Sequence, residues 1–446
     1  MFLPESVLLC IRTLEQAGFE AYAVGGCVRD SLLGLTPHDY DLCTNALPEE
    51  TARLFSAYTL VRSGEKHGTI GVVIDKEVFE ITTFRTEGGY EDSRHPDWVK
   101  FVSSITEDLA RRDFTVNAIA YSPDTGYVDP FGGQQDLQNR ILRAVGDPYK
   151  RFQEDALRIL RGVRFAVRFR LTPEENTLRA MGMLAPLMDK LARERVFAEL
   201  CKLTPLMTAE DLLTYAPVLT QVIPELAPSV GFSQRTPHHA YDVFTHTAHV
   251  LENTPPTVPL RLAALLHDIG KPASFYADEN GRGHFKGHAQ ISAQLADDLL
   301  LRLKAPTSLR QQVVFLIEHH MTPLEPNKKL LRRWLGKHGE QAIFDLLSLQ
   351  EADFIGKGTA ETPPLFADLR TLLREILDEE ACLTIKNLRI NGLDLQKAGF
   401  APSPQIGACL QFLLEQVQDE QIPNEPQSLL SAAIQFSRNE TEIRSL

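Results

Sequence analysis

The strongest constraint on the fold is a change of hydrophobic period part-way along the chain. Between residues 20 and 86, short apolar runs at Ala21 to Val24, Thr69 to Ile74 and Val78 to Thr83 have strand character, and glycines punctuate the joins. A helical stretch follows Pro48. From Ile141 onward the pattern is almost wholly helical, with Leu157, Leu160, Val163 and Val167 recurring at helical spacing. The fold class expected is α+β: an N-terminal mixed sheet with helices, then an all-helical remainder. Proline-containing breaks near residues 171–174, 205, 255–259 and 361–364 mark candidate boundaries. They divide the chain into expected segments 1–140, 141–205, 206–360 and 361–446.

At 446 residues and 43% hydrophobic content the chain can build several cores. No segment approaches the roughly 18 apolar residues that a membrane span needs, so the expected location is the cytoplasm, with no membrane partner. The six cysteines (Cys10, Cys27, Cys43, Cys201, Cys382, Cys409) are scattered and read as reduced thiols. A formal net charge of −13 argues against nucleic acid coating the whole surface. Any RNA contact is therefore local. The one conspicuous basic stretch is residues 140–170, with nine Lys or Arg against three acids.

Two motifs early in the chain carry phosphate chemistry. Gly25-Gly26-Cys27-Val28-Arg29-Asp30 follows an apolar strand-like run; glycines there let backbone approach a phosphate, N–H groups at a helix start favour anions, and Arg29 adds a positive charge. His38-Asp39-Tyr40-Asp41 places two carboxylates one residue apart, which on a strand project from one face and can share hard divalent cations. Such ions suit the activation of an attacking hydroxyl and the neutralisation of a triphosphate. Glu80 is a candidate third carboxylate and His67 a minor candidate for phosphate contact.

Gly25-Gly26 with Arg29-Asp30 and Asp39-x-Asp41 resembles the signature of the DNA polymerase beta superfamily of nucleotidyltransferases, in the form carried by class II CCA-adding enzymes and bacterial poly(A) polymerases. Arg111-Arg112-Asp113-Phe114-Thr115-Val116-Asn117 is similar to the second motif of that family, which implies that Arg112, Asp113 and Asn117, with Arg111 as a lesser candidate, hold the incoming nucleotide. Residues 129–137 resemble the link between head and neck. The resemblance implies catalytic Asp39 and Asp41 with Mg²⁺, the tRNA 3′ end as acceptor, CTP and ATP as donors, and no DNA partner.

Asp155, Arg158, Arg161 and Arg164 follow at three-residue steps and on one helix would line one side. An Asp carboxylate only accepts hydrogen bonds and an Arg guanidinium only donates them. Cytosine and adenine both present an exocyclic amino donor beside a ring-nitrogen acceptor; uracil and guanine present the reverse. Mismatching those groups in a closed site costs about 1 to 3 kcal/mol each. The segment resembles the amino-acid template Glu-Asp-x-x-Arg of the family, which implies that Asp155 and Arg158 read the base. Arg161 and Arg164 join the nucleotide-binding candidates. Arg193 to Leu200 resembles a fifth motif whose role there is structural. Residues 85–96 resemble the flexible loop that relatives adding only CC lack, which implies that the terminal A can be added.

Leu265-Leu266-His267-Asp268-Ile269-Gly270-Lys271 resembles the HD phosphohydrolase superfamily. It implies His246, His267, Asp268 and Asp353 as ligands of a divalent transition metal, with His288 and His319 as second-shell or second-metal residues. The four segments are thus expected to be a polymerase-beta-like head, a helical nucleotide-selecting and RNA-binding neck, an HD domain and a helical tail. Two alternatives remain open from sequence: an A-adding enzyme or poly(A) polymerase, and an HD phosphohydrolase with a non-catalytic RNA-binding head. Oligomeric state is not legible.

Overall fold

A computed structural model describes residues 1–88, 98–237, 239–358, 364–379 and 382–444. The chain packs as two compact units, residues 1–227 with 301–305 and residues 228–300 with 306–446. The head and neck segments expected from sequence both fall in the first.

The first unit is built on a seven-stranded sheet: β1 (Ala21–Val24), β2 (Asp41–Thr44), β3 (Thr59–Val61), β4 (Thr69–Ile74), β5 (Glu77–Thr83), β8 (Ala120–Ser122) and β9 (Gly126–Val128), in the order β3-β4-β5-β2-β1-β8-β9. The intervening β6 (Arg85–Gly88) and β7 (Trp98–Phe101) form a separate antiparallel pair. All neighbours in the large sheet are antiparallel except β2 and β5, which pair Leu42 with Ile81 in parallel. Every residue of β1 is buried, as suits a strand covered on both faces. Helix α1 (Glu5–Gln16) buries Val7, Cys10, Ile11 and Leu14, a helical stripe that reads directly from the sequence. The strand expected to carry His38 to Asp41 starts only at Asp41, so Asp39 lies on the extended approach to it. Of the expected flexible loop, Arg85 to Gly88 form β6; Gly89, Tyr90 and Ser93 to Pro96 lie outside the described residues.

The helices α2 (Gly26–Leu32), α3 (Pro48–Leu54), α4 (Ile105–Ala110) and α5 (Gly133–Gln138) decorate the sheet, and α6 (Pro148–Glu154), α7 (Leu157–Phe169), α8 (Glu175–Leu184) and α9 (Arg193–Leu203) continue the unit. Asp147 caps α6 by accepting from Tyr149 N, with Pro148 at the first helical position. The helical stripe expected from Asp155 to Arg164 is interrupted: Asp155 is extended, at φ −143 and ψ 104, and α7 begins at Leu157. The cause is local, because the Asp155 side chain accepts from Leu157 N at 3.0 Å, the capping bond that Asp forms in competition with a continuous helix. Ten of the thirteen residues of α7 are buried, Arg164 among them.

The second unit is helical apart from a short hairpin, Tyr276–Ala277 with Gly283–His284. Helices Val243–Asn253, Val258–Leu266, Thr307–His319 and Glu340–Gly356 pack together and bring His246, His267, Asp268 and Asp353 inward. The C-terminal helices Pro404–Gln418 and Pro426–Arg444 share a separate core around Leu395, Cys409, Leu413 and Leu429. Among the described residues no helix is long and apolar enough to cross a membrane.

Candidate functional site

Asp39, Asp41 and Glu80 line one cavity of about 1000 Å³ in the first unit. The parallel register explains the grouping: one step before the Leu42–Ile81 pair, Asp41 at the start of β2 comes level with Glu80 in the middle of β5. Crowding by neighbouring atoms raises the Asp41 carboxyl above its ordinary value; Arg112 opposes that rise and Asp39 adds to it. No salt bridge ties Asp39, Asp41 or Glu80 to a basic side chain among the described residues. Carboxylates left without a protein partner in a shared hollow are a donor set suited to a hard cation. His67 lies on an exposed turn outside that cavity, where its carbonyl accepts from Arg85.

The turn at Gly25 favours glycine by its backbone conformation, and any Cβ there would displace the Arg112 guanidinium. The φ of Gly25 is +78°, and a Cβ there would stand 2.8 Å from Arg112 Nη1. Arg112 donates to Asp108 at 3.3 Å while its Nε is buried with no partner, and Arg111 donates to the same carboxylate at 2.9 Å. Burial favours the neutral form of Asp108, yet the two guanidiniums outweigh it and hold the carboxyl below the usual range. Arg29 does not reach into open solvent. It bonds Asp30 at 2.6 Å and Asn117 at 2.6 Å and lies 4.2 Å over the ring centroid of Phe169. Asn117 in turn donates to Asp113, whose other oxygen accepts from Arg161 at 2.7 Å. Burial works against the charge on Asp113, but Arg161 and Asn117 prevail and lower its carboxyl to about 2. The sheet-side residues Arg29, Asn117 and Asp113 and the α7 residue Arg161 are thereby one connected network.

Asp155 and Arg158 are held by different partners. Asp155 accepts from Arg195 at 2.9 Å, whereas Arg158 bonds Glu154 at 2.7 Å and the carbonyl of Arg111 at 3.1 Å. Arg164 departs from the expected nucleotide-facing stripe: it is buried against Glu199 at 2.6 Å, a dry ion pair inside the helical layer. Asp108, Glu154 and Arg195 are the anchoring residues that sequence reasoning did not select; Glu154 and Arg195 stood inside quoted motifs, whereas Asp108 carried no signal.

In the second unit His246, His267, Asp268 and Asp353 are buried with ligand atoms all within 4.8 Å of one another. His246 Nε2 lies 3.0 Å from Asp353 Oδ1 and 3.3 Å from His267 Nε2, and His267 Nε2 lies 3.1 Å from Asp268 Oδ2. The opposite ring nitrogens face backbone carbonyls, His246 Nδ1 on Gly356 at 3.1 Å and His267 Nδ1 on Ala264 at 2.8 Å. A carbonyl only accepts, so Nδ1 carries a proton, and once Nε2 is deprotonated its lone pair faces inward. Two such lone pairs 3.3 Å apart beside two carboxylates repel unless a cation sits among them. The same carboxylates also attract a proton: against burial, Asp268 and Asp353 raise His267 to about 9, so a metal binding at Nε2 must displace that proton. Although Lys271 Nζ lies 2.7 Å from Asp268 Oδ2, neither oxygen of Asp268 takes a well-aligned hydrogen bond. The donor set therefore fits a divalent metal.

A second group, Asp268 with His288 and His320, adjoins the first. His288 and His320 direct Nδ1 at the carbonyls of Phe285 and Ile317, at 2.7 and 2.6 Å, and their Nε2 atoms stand 3.3 Å apart. His320 takes the place expected for His319. His319 instead packs on Trp334, Phe315 and His338. Helical phase is the reason, because His320 follows the buried Leu316 and Ile317 by four and three residues whereas His319 follows Phe315. A cavity of about 270 Å³, lined by His239, Lys271 and Lys357 as well, opens onto both groups.

The Poly A polymerase head domain model matches residues 21–143, and models for an RNA- and SrmB-binding site of polymerase A and for domain 2 of tRNA nucleotidyltransferase match residues 170–228 and 285–433. The CCA-adding enzyme of Levilactobacillus brevis is 36% identical over 95% of both chains, and that of Limosilactobacillus fermentum 35% identical over 94% of both. Among solved structures, the Bacillus stearothermophilus CCA-adding enzyme in complex with CTP superimposes with a TM-score of 0.74 at 27% identity, with 100% of each chain covered. The Thermotoga maritima CCA-adding enzyme complexed with tRNA shares the fold, with a TM-score of 0.60 at 19% identity over 97% of this chain and 95% of that one. With such identity sustained along nearly its entire length, this chain belongs to the CCA-adding enzyme family of tRNA nucleotidyltransferases.

Proposed function

We propose that the chain builds or repairs the 3′-terminal CCA of tRNA in the cytoplasm without a nucleic-acid template, using CTP and ATP. The observation that carries this reading is the hollow in which Asp39 and Asp41 stand beside Glu80, with no salt-bridge partner among the described residues. Asp39 and Asp41 would hold Mg²⁺, a pair of ions in the two-metal form of this chemistry, which supplies charge neutralisation for the triphosphate and eases deprotonation of the attacking hydroxyl. The tRNA 3′-hydroxyl attacks the α-phosphorus, a new phosphodiester bond forms, and pyrophosphate leaves with the electron pair of the broken P–O bond. Gly25 and Gly26 let the backbone approach the phosphates, and Arg112 offers donors beside them. Arg29, Asp113, Asn117 and Arg161 hold this frame to α7. Asp155 accepts from the exocyclic amino group of cytosine or adenine, and Arg158 donates to the ring nitrogen. The tRNA backbone lies along the basic neck, residues 141–205, recognised by shape and charge.

Three tRNAs ending at the discriminator base, at C and at CC, each given Mg²⁺ and labelled nucleotides separately and together, test the reading. The expected result is addition that halts at CCA. A only on the CC substrate indicates an A-adding enzyme, a long A ladder indicates a poly(A) polymerase, and no incorporation overturns the reading.

The buried histidine cluster supports a second activity of another class, metal-assisted hydrolysis of a phosphate ester. His246, His267, Asp268 and Asp353 would hold the metal, which supplies Lewis-acid polarisation of the ester and an activated water. Lys271 and Lys357 line the cavity, where their positive charge can offset the negative charge of the phosphate. Hydrolysis of bis-(p-nitrophenyl) phosphate with added Mn²⁺, Co²⁺ or Ni²⁺, compared between the natural protein and His267→Ala, tests it; equal rates in the two proteins sink it.

A further inference from the structure

The segment Arg193 to Leu200 contributes two side chains to the neck, and they have different surroundings. Glu199 meets Arg164 with both side chains buried, which is a structural ion pair. Arg195 reaches from α9 to Asp155 in a half-buried position, Nη2 to Oδ2 at 2.9 Å, and its Nη1 is buried with no hydrogen-bond acceptor among the described residues. The other oxygen of Asp155 accepts from Leu157 N at 3.0 Å. One carboxylate oxygen is thus tied to the backbone and the other to a guanidinium. Both rotations of the side chain are blocked, yet each oxygen has lone-pair capacity left.

We propose that Arg195 is a positioning residue for nucleotide selection, holding the Asp155 carboxylate so that it presents one fixed acceptor direction to the incoming base. The inference rests on the reading of Asp155 and Arg158 as the base-selecting pair. A fixed acceptor accepts from the amino group of cytosine or adenine and opposes uracil O4 or guanine O6. A carboxylate released from Arg195 could turn away from O4 or O6 and let water bridge the gap. Rejection of the wrong base would weaken more than the chemistry itself, because the reacting groups lie elsewhere.

The test uses the full chain with Arg195→Ala, Arg195→Gln, Arg195→Lys, Asp155→Ala and the double variant Asp155→Ala with Arg195→Ala. kcat and KM are measured for CTP on tRNA ending at the discriminator base and for ATP on tRNA ending in CC. UTP and GTP misincorporation and the melting temperature are read alongside. In Arg195→Ala, the UTP-to-CTP and GTP-to-ATP ratios of kcat/KM are expected to rise by roughly tenfold, with KM for the correct nucleotide rising more than kcat falls. Arg195→Lys should recover part of the discrimination, and in the Asp155→Ala background the loss of Arg195 should change the ratios no further. Folded Arg195 variants that slow all four nucleotides in proportion overturn the proposal, as does a loss of discrimination that adds to that of Asp155→Ala. Should Arg195→Ala not fold, Arg195→Lys and Arg195→Gln decide by the same ratios. If Asp155→Ala itself keeps natural discrimination, the base-selecting reading fails instead, an outcome distinct from failure of Arg195 alone.

Discussion

The two candidate metal sites solve opposite problems. In the head, Asp39 and Asp41 stand at the start of β2 in a wide hollow, exposed and with no basic side chain paired to them among the described residues. In the helical unit, four histidines and two aspartates are buried beside a small cavity, and each histidine is oriented by a backbone carbonyl. An open pair of carboxylates suits ions that arrive and leave with a triphosphate, whereas a pre-oriented imidazole cage suits a resident metal. The difference teaches that exposure and second-layer hydrogen bonding distinguish a substrate-borne ion from a structural part of the protein.

Removing the head carboxylates should produce the largest effect. Asp39→Ala is expected to cut CMP and AMP incorporation by about 10³-fold or more, the scale of removing charge stabilisation from phosphoryl transfer, while metal content and hydrolysis of a test phosphodiester stay unchanged. Loss of both activities together would break the contrast between two independent sites. His246→Ala should lower metal retention by more than about 100-fold and leave incorporation intact, as read by elemental analysis after dialysis and by tRNA labelling. A smaller effect distinguishes neighbouring histidines: His320→Ala should reduce bound metal per chain, whereas His319→Ala should leave it unchanged, and the reverse would invalidate the placement by helical phase.

The least dramatic test concerns stability. The carboxyl of Asp113, held at about 2 in the folded chain, is depressed below its ordinary unfolded value near 4. Its contribution is therefore fully present above about pH 4 and is lost as pH falls through 2. Asp113→Asn should destabilise the first unit by about 2 kcal/mol at pH 7 and by progressively less in acid, as measured by urea unfolding at several pH values.

What could be read from sequence was local. Strands such as Ala21 to Val24 and the paired acids Asp39 and Asp41 follow from period, glycine placement and spacing, and so did the conjunction His267-Asp268. The hidden part lay in partners distant along the chain. Arg164 carried the same three-residue spacing as Arg158, but only the approach of α9 reveals that Glu199 claims it. Asp155 was read onto a helix because spacing alone does not show that its side chain caps the helix that follows. His319 and His320 differ by a single step, and the phase of Leu316 and Ile317 would have separated them.

That capping bond has an evolutionary consequence. The oxygen that secures the first turn of α7 belongs to the same carboxylate that is proposed to choose the nucleotide. Drift at position 155 is thereby taxed twice: a residue unable to cap loosens the helix by about 1 kcal/mol, and one able to cap but neutral, such as Ser, Thr or Asn, gives up the anionic grip of Arg195. Only aspartate meets both demands with so short a side chain. A lineage changing its nucleotide preference would find it easier to move the surroundings of this residue than to replace it.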